Sequence, residues 1–314
     1  MSTPETAAVR GLKLSHLRLM AEILATGQLS HAAERLGLAQ PAASRLLAEA
    51  ERLTGRPLHS RDGRGLRLTA AGEALARRAA RIQIELSDAA REMTEAGSGT
   101  EGLVRIGAVT GPALNRVLPA VRDLTARHPG LRFEVTVGTS PPLCDQLLAG
   151  RLDFAIGRLL SPDLERSLTL ERMEEEPLSL IVRRGHPLLF RPVLTPADTL
   201  AYDWVMPEGE TLLTRTVIDG LIALGLGEPR RQVSTASFLF TLALLTESDA
   251  IAPLAEAVAD SFAVGPAMPF VPLPVETGIS VTAYGLIRRR GGHLTPAAER
   301  VAARILATRP RRAR

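Results

Sequence analysis

The stretch from Ser30 to Gly55, SHAAERLGLAQPAASRLLAEAERLTG, constrains the chain more than any other. Its small and apolar residues fall at two helical spacings with a break between them. Ala32, Ala33 and Leu36 share one side of a short helix, which Ser30 is placed to cap by accepting a bond from a free backbone N–H. Gly37 supplies the left-handed residue that ends this helix, and Leu38 fills the turn. Gln40 and Pro41 open a second helix, with proline where its missing N–H costs nothing. Ala43, Leu46, Leu47 and Ala50 recur at helical spacing, and Gly55 stops it. Alanines at the crossing let the two helices approach closely, which is the requirement of a helix-turn-helix. Gln40, Ala42, Ser44 and Arg45 are left on the free face, where DNA would lie. On periodicity alone a plain helical hairpin fits equally well.

The next segment breaks the tie. In RPLHSRDGRGLRLTAAGEAL, Leu58 is set to pack inward while Arg61, Arg64 and Arg67 project. Asp62-Gly63 and Gly65 give a tight turn between two short strands. The expected result is a wing with a basic tip. Together, AAERLGLAQPAASRLLAEAE and LHSRDGRGLRLTAAGE resemble the N-terminal domain of LysR-type transcriptional regulators, with the spacing intact from about Lys13 to Glu73. Three positions depart from the family pattern. Ala39 stands where a serine or threonine usually caps the second helix, His59 where a phenylalanine is usual, and Ser60 where a glutamate is frequent.

Thr69 is placed to cap a long helix running to about Glu95. Leu75, Ala79, Ile82, Leu86, Ala89 and Met93 recur at alternating four- and three-residue steps, the seam of two helices packed along their length. A helix of this length, about 40 Å at the standard rise, outruns any small domain, so the seam is read as a homodimer contact. The segment AGSGTEG, 96–102, follows as a linker of small residues.

From Leu103 onward strands and helices alternate, which calls for a parallel sheet with covering helices. The strands are LVRIGA, LRFEVTV and LDFAIG. After Arg158 the pattern breaks into a polar stretch whose acidic run, Glu174 to Glu176, reads as a solvated face. A second lobe inserted at that break would return late in the chain, where ISVTAYGLIRRR reads as one strand. The expected division is a winged helix-turn-helix over 1–69, a dimerisation helix over 70–95 and a hinge linker over 96–102. Lobe I would cover 103–160 and 268–308, lobe II 161–267, with a basic tail over 309–314. These two α/β lobes resemble the type 2 periplasmic-binding-protein fold with which the LysR family senses small molecules.

Composition excludes several alternatives. Hydrophobic residues make up 45% of the 314, enough for cores and far from a disordered chain. The net charge of +4 permits a nucleic-acid partner, and seven arginines between Arg35 and Arg67 concentrate it in the first quarter. Cys144 is the one cysteine, which rules out an intrachain disulfide and a cysteine-based zinc site. The six histidines lack metal-ligand spacing, and no G-x-S-x-G, Walker or H-E-x-x-H motif occurs, so neither catalysis nor a cofactor is expected. No leader and no apolar run of spanning length is present, which points to the cytoplasm and away from a membrane.

Candidate DNA contacts are Ser30, Gln40, Pro41, Ser44, Arg45, Arg61, Arg64 and Thr69. Glutamine pairs bidentately with adenine, arginine with guanine or a phosphate, and the wing arginines suit a narrow minor groove. Candidate effector contacts follow the strand C-termini of both lobes, where α/β sheets bind ligands. They are Thr110, Gly111, Thr139, Ser140 and Arg158 in one lobe and Pro207, Ser234 and Ser237 in the other. Short hydroxyls and one guanidinium favour a small polar ligand, an organic acid ahead of a sugar. The resemblance implies an oligomer, dimer or dimer of dimers, on a double-stranded operator, with effector binding altering contact with RNA polymerase. The alternative is a cytosolic small-molecule binding protein whose N-terminal domain has no regulatory role.

Overall fold

A computed structural model describes residues 11–62, 65–94, 99–262 and 269–308. The chain divides into two compact units, Met1–Thr94 and Glu95–Arg314.

The first unit is a winged helix. Helices α1 (Leu14–Thr26), α2 (Leu29–Arg35) and α3 (Gln40–Thr54) are followed by the wing strands β1 (His59–Asp62) and β2 (Gly65–Leu68) and by α4 (Ala70–Thr94). Leu19, Met20, Ile23, Ala32, Ala33, Ala43, Leu47, Ala50 and Leu58 close one core, with Ala76 and Ala79 of α4 sealing it. The α2–α3 turn forms as its sequence requires. Gly37 takes φ 65°, and the Leu38 N–H donates back to the Ala33 carbonyl at 2.9 Å. Ser30 does not cap α2. The helix begins one residue earlier, Gln28 holds the cap position, and no side chain caps it.

The seam of α4 divides in two. Ala79 is buried and Leu75 packs against the unit's own core, whereas Ile82, Leu86, Ala89 and Met93 are exposed. The heptad reading of Leu75 and Ala79 is therefore corrected. The helix first serves its own domain, and its apolar stripe becomes free only where the domain ends.

The second unit holds two lobes. In order along the chain, β3 (Glu101–Ala108) leads into α5, which runs from Thr110–Pro112 through a π turn at Ala113–Val117 to Leu118–Arg127. Then come β4 (Gly130–Val137), α6 (Ser140–Leu148), β5 (Phe154–Gly157), β6 (Leu168–Arg172) and β7 (Glu176–Arg183). Next are β8 (Trp204–Met206), α7 (Leu212–Ala223), β9 (Arg231–Ser234), α8 (Phe238–Glu247), β10 (Ala252–Ala255) and α9 (Glu256–Phe262). The chain closes with β11 (Phe270–Pro272), β12 (Ser280–Val281), β13 (Gly285–Arg289) and α10 (Pro296–Ala307).

Lobe I is a five-stranded sheet in the order β4-β3-β5-β13-β6. Its β3, β4 and β5 are parallel, but β13 runs antiparallel to both β5 and β6, so the sheet is mixed rather than parallel. One face is covered by α5 and α10, through Val117, Ala120, Leu124, Val301 and Ile305. The other is covered by α6, through Leu143, Cys144 and Leu147. In lobe II, β10, β11 and β12 each pair antiparallel with β7, and β8 and β9 form a parallel pair joined to that sheet by the Trp204–Ile251 bridge.

The lobe boundaries differ from the expected ones at both crossings. Strand β6 pairs with β13, so 168–172 belongs to lobe I rather than lobe II. Strands β11 and β12 pair with β7, so 270–281 belongs to lobe II rather than lobe I. The chain crosses at 173–175 and returns at 282–284. The stretch ISVTAYGLIRRR is not one strand but two, one in each lobe, with the return crossing between them. The two crossings bind each other: the Met173 N–H donates to the Tyr284 carbonyl at 2.9 Å, and the Tyr284 N–H donates to Glu174 at 3.0 Å. The expected linker is also shorter on its C-terminal side, because Glu101 and Gly102 already pair with Gly130 and Leu131 in β3 and β4.

Candidate DNA-binding face and interlobe cleft

The free face of α3 carries Gln40, Pro41, Ser44 and Arg45, all exposed, while Ala43, Leu47 and Ala50 are buried behind them. This follows from the 3.6-residue period of the sequence. Among the described residues the side chains of Gln40 and Arg45 have no hydrogen-bond or ion-pair partner, so their donors and acceptors are open to an outside group. The cap position is Ala39, which contributes only its carbonyl, accepting from the Ala42 N–H at 2.8 Å. Ser30 is exposed in the first turn of α2. Thr69 caps α4, accepting from the Gly72 N–H at 3.1 Å while its hydroxyl donates to the Pro57 carbonyl at 2.8 Å. That second bond ties the wing's entry to its exit. The side chain of Arg61 and the whole of Arg64 lie outside the described residues, whereas Arg67 is exposed on β2.

His59, unusual for the resemblance, has its own partner. Glu51 on α3 accepts from the Leu58 N–H at 2.7 Å, the His59 N–H at 3.2 Å and the His59 Nδ1 at 2.9 Å. Burial works against the Glu51 charge, but these bonds outweigh it and hold its carboxyl below the ordinary range. The recognition helix thus grips the base of the wing through a carboxylate, where an aromatic ring would have packed.

In the second unit the ladders decide which loops meet. Ala108 pairs with Val137 and with Ile156, so the C-terminal ends of β3, β4 and β5 lie side by side. These ends carry Thr110-Gly111, Thr139-Ser140 and Arg158. Across the crossing, Met206 pairs with Ser234 in parallel, which brings Pro207 beside the Ser234–Ser237 loop. Strand β10 ends at Ala255, next to the start of β7. A Cβ on Gly111 would lie 1.9 Å from the Glu176 carboxylate and 3.2 Å from the Ala255 methyl, so the two lobes touch here.

Arg158 and Ser140 are not free for a ligand. Arg158 is buried; its Nη2 donates to Glu176 at 2.8 Å and its Nε to the Thr282 carbonyl at 2.5 Å. Its backbone N–H takes the Ser140 hydroxyl as acceptor at 3.0 Å, and its guanidinium lies 5.8 Å from the centre of the Tyr284 ring. A guanidinium withdrawn from water must be paired, and this one is. Nor is Arg158 a crossover residue: the chain crosses later, at 173–175. Ser237 is exposed and caps α8, accepting from the Phe240 N–H at 3.2 Å, which leaves its hydroxyl proton to donate. Thr139 and Ser234 are exposed, and Thr110 and Pro207 are half-buried.

Two glutamates outside the expected site sit where the lobes meet. The acidic run does not form a solvated face: Glu176 is buried against Arg158, and Glu174 accepts from Arg116 Nη2 at 2.7 Å and from the Tyr284 hydroxyl. Only Glu175 is exposed. Burial pushes the Tyr284 hydroxyl up, and Glu174 pushes it further. Burial works against the Arg116 cation, but its bonds to Glu174 and Tyr284 outweigh that and hold its pKa above the ordinary value. The alternation of Glu174 and Glu176 at period two, leading into LSLIVRR, was the available signal for an extended segment with one buried face.

Comparison with known proteins agrees with both units. Residues 14–73 match the model of the bacterial regulatory helix-turn-helix protein, lysR family, and residues 97–309 match the LysR substrate binding domain. The chain is 42% identical over 250 residues to the HTH-type transcriptional regulator GbpR of Rhizobium radiobacter, covering 79% of this chain and 82% of that one. It is 34% identical over 307 residues to the regulator of the same name from Azospirillum brasilense, covering 96% and 89%. Among solved structures, full-length CbnR in complex with its target DNA superposes with a TM-score of 0.61 at 23% identity, covering 95% of this chain and all of that one. Among the described residues no helix is long and apolar enough to cross a membrane, and no cluster of potential metal ligands occurs. The chain belongs to the LysR family of transcriptional regulators, as a DNA-binding regulator and not an enzyme.

Proposed function

We propose that this regulator binds a specific operator as a homo-oligomer and answers to a small polar effector held between the two lobes of its second unit. The Gln40 and Arg45 side chains on the face of α3, exposed and without a partner among the described residues, are the observation that carries the DNA reading. Ser44 and Pro41 flank them, Arg67 and the other wing arginines supply phosphate contacts, and Ser30 and Thr69 add hydroxyls near the backbone. The target DNA named for CbnR makes the same use of this fold reasonable here. The dimer forms through Ile82, Leu86, Ala89 and Met93, whose exposure leaves apolar area that a second α4 would cover. The effector contacts are Thr110, Gly111 and Thr139 from lobe I and Pro207, Ser234 and Ser237 from lobe II. Organic acids and sugars both remain in this class, since the Arg158 charge that favoured an acid is neutralised by Glu176. RNA polymerase is the downstream partner, and the cytoplasm, where bacterial operators lie, is the place of action.

Selection of fragments from the source genome by the purified chain identifies the operator. Gln40→Ala then reduces discrimination between operator and random DNA by about 1–3 kcal/mol, because base-edge bonds are lost. Equal discrimination by parent and variant discards the proposed face. Ile82→Asp places a carboxylate in the seam beside its own copy, and sedimentation of the full chain shows a smaller species at equal concentration. An unchanged sedimentation profile moves the dimer contact elsewhere. A thermal-shift screen of organic acids and sugars separates the two effector classes.

A further inference from the structure

We propose that Arg158 and Glu176 form an interlobe latch that sets the angle between the two lobes, with Gly111 as the gap that lets it close. Arg158 follows the last strand of the parallel part of lobe I, and Glu176 is the first residue of the central strand of lobe II. The pair therefore joins the lobes by a bond that neither crossing segment makes. Both side chains are withdrawn from water, with 6% and 11% of their surface exposed, so solvent does not screen the contact. Three further groups fix the geometry. Arg158 also holds the Thr282 carbonyl in the return crossing, its backbone is held by Ser140, and the Tyr284 ring lies beside it.

The second pair anchors what the first pulls against. Arg116 holds Glu174 in the first crossing, Tyr284 in the second, and the carbonyl of Thr308 behind α10. The crossings are thereby fastened to lobe I, and the remaining freedom of lobe II is rotation about 173–175 and 282–284. Glu176 begins β7 just beyond that axis, so a rotation that carries the start of β7 away from lobe I draws its carboxylate from Arg158. Gly111 is the steric condition. The Glu176 Oε1 occupies the space a side chain at 111 would need, so any residue with a Cβ pushes the carboxylate away.

The latch does not depend on which effector binds. If the cleft takes an effector as proposed above, the latch taxes the affinity of any ligand that needs the lobes at another angle, because only the unlatched fraction is competent.

The test is a distance measurement across the lobes in the full chain without ligand. Cys144 is fully buried, so spin labels attach to introduced cysteines at Thr125 on α5 and Asp219 on α7, both exposed. Labelled chain is diluted into unlabelled chain so that distances between protomers vanish. The parent gives one narrow distance by double electron–electron resonance. Glu176→Gln and Gly111→Ala at least double the width of the distribution or add a second peak. Arg158→Lys keeps the buried charge and shortens its reach, and it does the same should Glu176→Gln fail to fold. Leu221→Ala, in the core of lobe II and in contact with neither Arg158 nor Glu176, lowers the melting temperature and leaves the distribution narrow. Parent-like distributions in Gly111→Ala and Arg158→Lys overturn the latch. Equal broadening by Leu221→Ala also overturns it, because the pair would then only contribute general stability.

Discussion

Arginine is used in opposite ways in the two units. On the recognition helix the Arg45 side chain is exposed and has no partner among the described residues. At the hinge Arg116 and Arg158 are buried, and every bond they make is internal. A guanidinium costs little to leave in water and much to bury, so its surroundings report its role. The exposed one is open to an outside partner, and the buried ones hold parts of the chain to each other. Residue type and local sequence do not distinguish them. Both Arg45 and Arg158 follow a stretch of small or apolar residues, and the sequence alone suits either to a ligand contact.

The sharpest way to break this comparison is to remove one charge from each class. Arg158→Met leaves Glu176 buried and uncompensated, which costs about 3–5 kcal/mol. Arg45→Met changes stability by no more than about 0.5 kcal/mol, as surface substitutions away from special features do. Denaturant unfolding of the full chain, followed in parallel with operator titration, reads both. Arg158→Met lowers the unfolding midpoint of the second unit. Arg45→Met leaves the midpoint in place, weakens DNA binding and reduces its salt dependence. Equal destabilisation by the two substitutions would abolish the distinction.

What the sequence made legible divides along the same line. The recognition helix was readable because its period, its glycine turn and its first-turn proline are local signals, each tied to a backbone position. The wing was readable because its turn residues are adjacent. Helix α4 was readable in length but not in allegiance: Leu75 and Ala79 fit a dimer seam and a domain core equally well, and only the position of α1 decides between them. Strand β6 is not marked in the sequence because it is an edge strand with only Leu168 buried and Leu170 half-buried among polar residues. The hinge escaped because it is made of long-range pairs: Arg158 meets Glu176, and Arg116 meets Glu174 and Tyr284, across 18 to 168 positions of sequence. An acidic run with no visible partner reads as a solvated surface. Its partners were present but lay on other elements.

The helix caps extend the comparison with a smaller effect. In the second unit Thr211, Ser237 and Thr295 each accept a bond from the N–H three residues on. In the first, α2 and α3 have no side-chain cap. Ala39→Ser supplies α3 with one and stabilises the first unit by about 1 kcal/mol. Thermal unfolding shows the gain as a rise confined to the first unit's transition. Operator binding improves only if fraying of α3 limits it, so binding and melting together separate order of the helix from contact with DNA.

The smallest effect is on pH, and it separates lobe II from the winged helix. His186 is fully buried in lobe II, with Nδ1 accepting from the Leu188 N–H at 3.1 Å and Nε2 donating to the Asp249 carbonyl at 3.0 Å. Both nitrogens are satisfied by the neutral ring. Burial lowers its pKa, as does Arg183, against the pull of Asp249. The unfolded chain therefore binds a proton here more readily than the folded one, and stability rises with pH across that interval. As pH falls below about 6.5, the ordinary imidazole value, lobe II loses stability progressively until the folded ring also protonates. His186→Gln retains a polar group of similar reach and no longer titrates, so the melting temperature of the second unit falls less between pH 7 and pH 5 than in the parent. Glu51 titrates in the same direction in the first unit but lower on the scale, since its lowered carboxyl loses its bonds to Leu58 and His59 only as pH falls through the folded value. The second unit's transition accordingly responds between pH 7 and pH 5, and the Glu51 contribution of the first unit is retained until the pH is lower. Parallel slopes for parent and His186→Gln would assign the response to another group.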